Sequence, residues 1–171
     1  MSFALNPNAF HSGSHLSRLL VAANHHRAPG NNSCSFASRL LSEDNEVIGC
    51  GSSRNEWLEG DQTKAIPRAL IEALPVLPNG SVVELLCNAK HIVDELSRPP
   101  EDRKVRRYLK ADGKTLLKDH AALRQIDKIV KEKGLLLSAR FPATYEELCL
   151  ADELLEEIRS YPVVSPFGRA A

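Results

Sequence analysis

Val82-Val83-Glu84-Leu85-Leu86-Cys87-Asn88-Ala89-Lys90-His91-Ile92-Val93-Asp94-Glu95-Leu96 changes its hydrophobic period halfway along. From Val82 to Cys87 the run is apolar except for Glu84, the pattern of a central strand covered on both faces. From Asn88 to Leu96 the spacing becomes helical, and Pro99-Pro100 stops it. A buried strand feeding a helix puts a sheet at the centre of the molecule with helices against its faces.

Toward the N-terminus, Leu16 to Ala23 is an apolar run of strand length, followed by the turn formers Ala28-Pro29-Gly30-Asn31-Asn32. Ser33 to Leu41 and Glu46 to Ser53 read as strands joined by Ser42-Glu43-Asp44-Asn45, a connection of hairpin length. A helix from about Thr63 to Leu74 carries Pro67 near its start and ends at Pro75, Pro78 and Gly80. Toward the C-terminus, Arg103 to Leu109 reads as a short helix and Leu116 to Lys133 as a longer one capped by Gly134. Leu135 to Phe141 is a strand. Tyr145 to Tyr161 is an amphipathic helix with Leu148, Ala151, Leu154, Leu155 and Ile158 on one face. The fold class is therefore α/β: a mixed five-stranded sheet, three antiparallel strands and then strands alternating with helices. Residues 16–161 form one domain, flanked by flexible tails at 1–15 and 162–171.

The 171 residues, 43% hydrophobic and 26% charged, suit one globular domain, and the net charge of zero gives no global attraction to a polyanion. Cys34, Cys50, Cys87 and Cys149 lack metal-ligand spacing and read as reduced thiols of a cytoplasmic compartment. The absence of Asp and Glu from Met1 to Ser42 is a transit-peptide trait, but strand-like sequence already begins near Leu16, so the N-terminus reads as a tail. No apolar run reaches the ~18 residues of a membrane span, so no membrane partner is expected.

Four segments resemble the ribonuclease H family, in its order. Ala65-Ile66-Pro67-Arg68-Ala69-Leu70-Ile71-Glu72-Ala73-Leu74 resembles the family's first helix, A-E-x-x-A-L-I-x-A-L. The Val82–Leu96 stretch resembles its fourth strand and following helix, where the family has S/T-D-S. Asp112-Gly113-Lys114 with Asp119 to Ile126 resembles the D-G-K-P-V-K-N-x-D-L-W segment of members with a basic protrusion, and Glu146 to Leu154 resembles the closing N-E-x-A-D-x-L-A helix.

The resemblance, which covers roughly residues 17 to 160, implies a ribonuclease H-like fold and a two-metal nuclease site acting on the RNA strand of an RNA–DNA hybrid. It also implies four carboxylates for hard divalent ions. Carried over, the four positions are Asn24, Ile66, Asn88 and Asp152, of which one is still an acid. The family's mobile catalytic His aligns near Pro142 or Ala143. Glu56, Glu59, Asp61 and Asp94 are neighbouring acids, and His25 and His26 with Asp152 are the residues from which a relocated metal site would be built. Taken together, the residues predict a pseudoenzyme: no catalytic set, no metal and no cofactor.

The surface that remains is cationic. Arg103, Lys104, Arg106, Arg107, Lys110, Lys114 and Lys118 stand against one acid, Asp112, in the segment that resembles the basic protrusion. Such a run adds salt-dependent affinity for phosphates. Gln62 and Thr63 fall near the family's 2′-hydroxyl-reading positions. The expected partner is nucleic acid, either RNA–DNA hybrid or structured RNA. A protein partner in a larger complex is the alternative, and a divergent hybrid nuclease a third reading; oligomeric state is not legible.

Overall fold

The computed structural model describes residues 3–5, 16–28, 31–56 and 64–160. Their elements are β1 (Ala4–Leu5), β2 (Leu16–Ala28), β3 (Asn31–Leu41), β4 (Val47–Glu56), α1 (Ala65–Ala73), β5 (Val82–Leu86), α2 (Lys90–Leu96), α3 (Pro100–Val105), α4 (His120–Lys133), β6 (Leu136–Arg140) and α5 (Tyr145–Arg159). One mixed sheet runs in the order β1-β4-β3-β2-β5-β6. β2, β3 and β4 form an antiparallel meander, and β5 lies parallel to both β2 and β6. The five strands β2 to β6 are those expected from the sequence.

Alternation along the strands separates two cores. Leu19 and Val21 of β2, Phe36 and Leu40 of β3 and Leu85 of β5 face α1, α2 and α4, where Leu70, Ile92, Leu123 and Ile126 meet them. Leu20, Ala22, Ala37 and Leu86 face the other way, onto Ala151, Leu154 and Ile158 of α5. Leu148, expected on the apolar face of α5, is exposed; Glu147 is buried in its place.

Glu147 is held by charge. Arg140 grips its carboxylate with two bonds of 2.7 and 2.9 Å, Arg18 approaches to 3.5 Å, and the backbone N–H groups of Ala143 and Thr144 complete the set. Arg140 also pairs with Glu84 at 3.0 Å, which explains the one acid inside the apolar β5 run. Thr144 accepts from the Glu147 N–H, so this ion network is also the capping box that starts α5. The Arg140 bonds, followed by those from the backbone, hold the Glu147 carboxyl down to about 2.

Several boundaries differ from the sequence reading: β2, read as ending at Ala23, runs on to Ala28. Residues 3–5 are not a free tail: Ala4 and Leu5 pair with Cys50 and Gly49 as a sixth strand, and Phe3 is buried. Gly51 makes room for it, since a Cβ there would lie 2.7 Å from Phe3 Cδ2. The helix expected over 103–109 instead spans Pro100–Val105 and ends where Arg107 and Tyr108 take left-handed φ values of 53° and 58°. The helix expected from Leu116 begins at His120, because Leu116 and Leu117 are already bonded back to Leu109 and Tyr108.

Candidate nucleic-acid interface

β2 and β5 run together only as far as Leu20 and Leu86. Beyond that point β2 continues beside β3, while β5 turns through Cys87 and Asn88 into α2. Parting strands leave a crevice at the carboxyl end of a parallel pair, the usual ligand position in open α/β sheets. Here it is a cleft of about 670 Å³, floored by β2 from Leu20 to Asn24 and walled by Ile66, Asn88–His91, Asp94, Pro142, Ala151 and Leu155.

Three of the four positions carried over from the resemblance therefore meet. Asn24, Ile66 and Asn88 line one cleft, and Pro142, at the place of the mobile His, borders it. Asp152 does not join them. It is exposed on α5, and its neighbour Ala151 faces the cleft instead.

The donor set does not fit a pair of hard divalent ions, which require several carboxylate oxygens. Among the described residues Asp94 is the one acid in the lining, and Lys90 pairs with it at 3.0 Å; the side chain of Glu56 lies outside the described set, as do Glu59 and Asp61 entirely. Burial pushes the Cys87 thiol up to about 11, so it is protonated and a poor ligand. Among the described residues no three of His, Cys, Asp or Glu gather where a metal could sit. The side chains of His25 and His26 lie outside the described set, as do Gln62 and Thr63 entirely.

The basic segment begins in α3, which holds Arg103 and Lys104, and continues as a hairpin. Leu109 and Leu116 form a bridge, Lys110 N–H donates to Thr115 at 2.7 Å, and Leu117 N–H donates to Tyr108 at 2.7 Å. Asp112 builds the tip. Its carboxylate accepts from the N–H groups of Lys114 and Thr115 and from the Thr115 hydroxyl, while Gly113 takes φ 66°. Those bonds, the Thr115 hydroxyl first, hold the Asp112 carboxyl down to about 2. The one acid of the segment is thus turned onto its own backbone.

Lys104, Arg107, Lys110, Lys114 and Lys118 are exposed, and Arg106 is half-buried. Arg103 is a correction. It is only 2% exposed, so it cannot reach a phosphate. Its guanidinium lies against Asp127, with bonds of 3.1 and 2.5 Å, and Nη1 donates to the carbonyls of Arg98 and Glu95. Tyr108 donates its hydroxyl to the same Asp127 at 2.9 Å. Burial, and then the Asp127 bond, push the Tyr108 phenol up to about 12. The buried Arg103–Asp127–Tyr108 group fastens the base of the hairpin to α4. An exposed cation overlooked in the sequence, Arg124, stacks over the Tyr108 ring 5.0 Å from its centroid.

Hairpin and cleft meet at Asp119. This residue follows Lys118, takes φ 60°, and lies with its side chain 5% exposed and its Oδ2 3.5 Å from Nε2 of His91. His91 lines the cleft. Neither Asp119 nor His91 was legible as a site residue, because their sequence separation hides a contact made by the ends of two helices.

No protein-family model and no curated protein matches this sequence. Solved structures do match its fold. The foamy viral protease-reverse transcriptase in complex with RNA/DNA hybrid superimposes with a TM-score of 0.62 at 13% identity, over 82% of this chain and 19% of that one. The PFV RNase H domain gives 0.56 at 14% identity, over 85% and 94% of the two chains. LC11-RNase H1 in complex with RNA/DNA hybrid gives 0.52 at 19% identity, over 84% and 96%. The chain spans about a fifth of the foamy viral protease-reverse transcriptase and nearly the full length of the PFV RNase H domain and of LC11-RNase H1. The fold is ribonuclease H-like, as the four sequence segments imply.

Proposed function

We propose that this chain binds RNA-containing duplexes through the basic hairpin and the adjoining cleft, and does not cleave them by metal-dependent chemistry. The observation that carries the reading is the contact of Asp119 with His91, which joins a ridge of exposed cations to a cleft whose described lining offers one acid, itself paired with a lysine. Two matched structures of this fold hold an RNA/DNA hybrid, which makes hybrid the first ligand to test. In a metal-dependent nuclease the cleft carboxylates repel phosphate until divalent ions neutralise them. Amides at Asn24 and Asn88 and an alkyl side chain at Ile66 remove both that repulsion and that requirement.

Affinity for a short RNA–DNA hybrid is therefore expected to be equal in magnesium and in excess chelator, with no strand scission. If the five exposed cations all reach phosphates, raising salt from about 50 to 200 mM should weaken binding by about 500-fold, from a slope of roughly −0.9 per contact. Lack of binding to any duplex at low salt refutes the binding reading, and magnesium-dependent scission by the purified chain refutes the loss of catalysis.

A further inference from the structure

We infer that the cleft receives an unpaired nucleobase extruded from the strand that the hairpin holds, an inference that rests on the hairpin's role as a phosphate contact. This cleft is chemically suited neither to a pair of hard divalent ions nor to a phosphate. Among the described residues its lining charges are Lys90 and Asp94, which cancel across 3.0 Å, and its thiol, Cys87, is protonated. What the lining offers is a neutral mixture: the alkyl surfaces of Val21, Ile66, Pro142 and Leu155 beside the amides Asn24 and Asn88.

A base is the part of a nucleic acid with that character. It is planar and uncharged, its faces pack against apolar side chains, and its edge carries adjacent donors and acceptors. A side-chain amide carries both kinds of group and can therefore meet such an edge with two bonds. The cleft volume of about 670 Å³ lies inside the roughly 300–1,000 Å³ range of small-molecule sites and leaves room for a base with its sugar. Access follows from the same contact that joins the two surfaces. A backbone lying along Lys110, Lys114 and Lys118 arrives at Asp119, which touches the cleft wall at His91.

Extrusion of a paired base costs a few kcal/mol, and a bulged base avoids most of that cost. The structure therefore assigns the cleft a preference for a nucleotide already without a partner. The test uses the full chain and two RNA–DNA hybrids of equal length, one flush and one with a single 2-aminopurine bulge in the RNA strand. Anisotropy should report about tenfold tighter binding of the bulged duplex, and an abasic residue at the bulge should abolish the difference. The 2-aminopurine emission should rise on binding, because the base leaves its stack for aliphatic walls that do not quench it.

Leu155→Trp fills the cleft and Asn88→Ala removes an exposed amide at its mouth. Both variants should lose the bulge preference, with any weakening on the flush hybrid smaller than that on the bulged one. Equal affinity for bulged and flush hybrids in the unaltered chain overturns the base pocket while leaving the hairpin reading intact. Failure to bind either duplex overturns both. A bulge preference that survives in both cleft variants places the base elsewhere and also overturns the inference.

Discussion

Removing the Asp127 carboxylate tests whether the segment's first cation is structural or a phosphate contact. Asp127 is 1% exposed and accepts three bonds: two from Arg103, at 3.1 and 2.5 Å, and one from the Tyr108 hydroxyl at 2.9 Å. Taking away one member of a buried pair leaves the other charge without its partner, at a cost of about 3–5 kcal/mol. Arg103 retains two backbone carbonyls, from Arg98 and Glu95, so Asp127→Asn should fall near the lower bound and Asp127→Ala near the upper. Domains of ordinary stability have roughly 5–15 kcal/mol in total, so the loss is a large fraction. With a urea m-value of about 2 kcal/mol/M, the unfolding midpoint followed by circular dichroism should drop by roughly 1.5–2.5 M. A loss below about 1 kcal/mol refutes the structural role.

The double variant Arg103→Met/Asp127→Leu separates charge pairing from packing. Replacing a whole buried ion pair by apolar groups of similar volume is often neutral, so the double variant should be markedly more stable than Asp127→Ala. Arg103→Met alone should destabilise the chain and leave the salt slope of hybrid binding unchanged. If Arg103 touches phosphate instead, the slope shrinks by about one.

Other perturbations follow from the same geometry. Lys110→Gln/Lys114→Gln should reduce the salt slope of hybrid binding by about two and leave the urea midpoint in place, because both side chains are exposed. Glu147 has its carboxyl held at about 2, below the ordinary 4.5, so its stabilisation is complete above about pH 4.5 and disappears as the pH falls toward 2. Glu147→Gln should flatten that part of a stability–pH curve measured by urea melts, while costing about 3 kcal/mol near neutrality. Tyr108 shows the opposite dependence: its phenol is raised from 10 to about 12, so its contribution is intact below pH 10 and lost as the pH climbs through 12. Tyr108→Phe should remove this alkaline limb and cost about 1 kcal/mol at neutral pH. Gly51→Ala puts a methyl 2.7 Å from Phe3 Cδ2 and should displace β1, costing about 1–3 kcal/mol and opening β4 to amide hydrogen exchange.

The sequence was most informative where periodicity is set by burial alone. Val82–Leu86, Leu136–Arg140 and α5 emerge where expected because a strand or helix between two packed faces has little freedom in its pattern. Elements fixed by single long-range contacts were not legible. Phe3 and Ala4–Leu5 sit in a segment of polar, turn-rich composition, and their order comes from the vacancy that Gly51 leaves on β4. Of the positions carried over, Asn24, Ile66 and Asn88 line one cleft: Asn24 lies within β2 beyond its pairing with β5, Ile66 near the start of α1 and Asn88 just past β5. Asp152 does not line the cleft: on α5 the buried positions are Glu147, Ala151, Leu154 and Ile158, and the residue after Ala151 stands about 100° round the helix from it.

Charge was the least legible property, since a sequence counts ions without showing which are already neutralised. Seven cations between residues 103 and 118 suggest a uniform patch, but their environments divide them. Arg103 is consumed by Asp127 beneath the hairpin, and five others stand exposed on α3 and along the hairpin. The acids of α5 divide in the same way. Glu147 is buried on Arg140, Glu157 bonds Arg39 and Glu156 bonds Arg159, so this helix repels phosphate less than its composition suggests. Exposed cations on the hairpin and internally neutralised acids on α5 bias the potential across the cleft toward the hairpin side. A strand approaching this fold is then drawn by charge to the hairpin first, and meets a neutral cleft only after its phosphates are held.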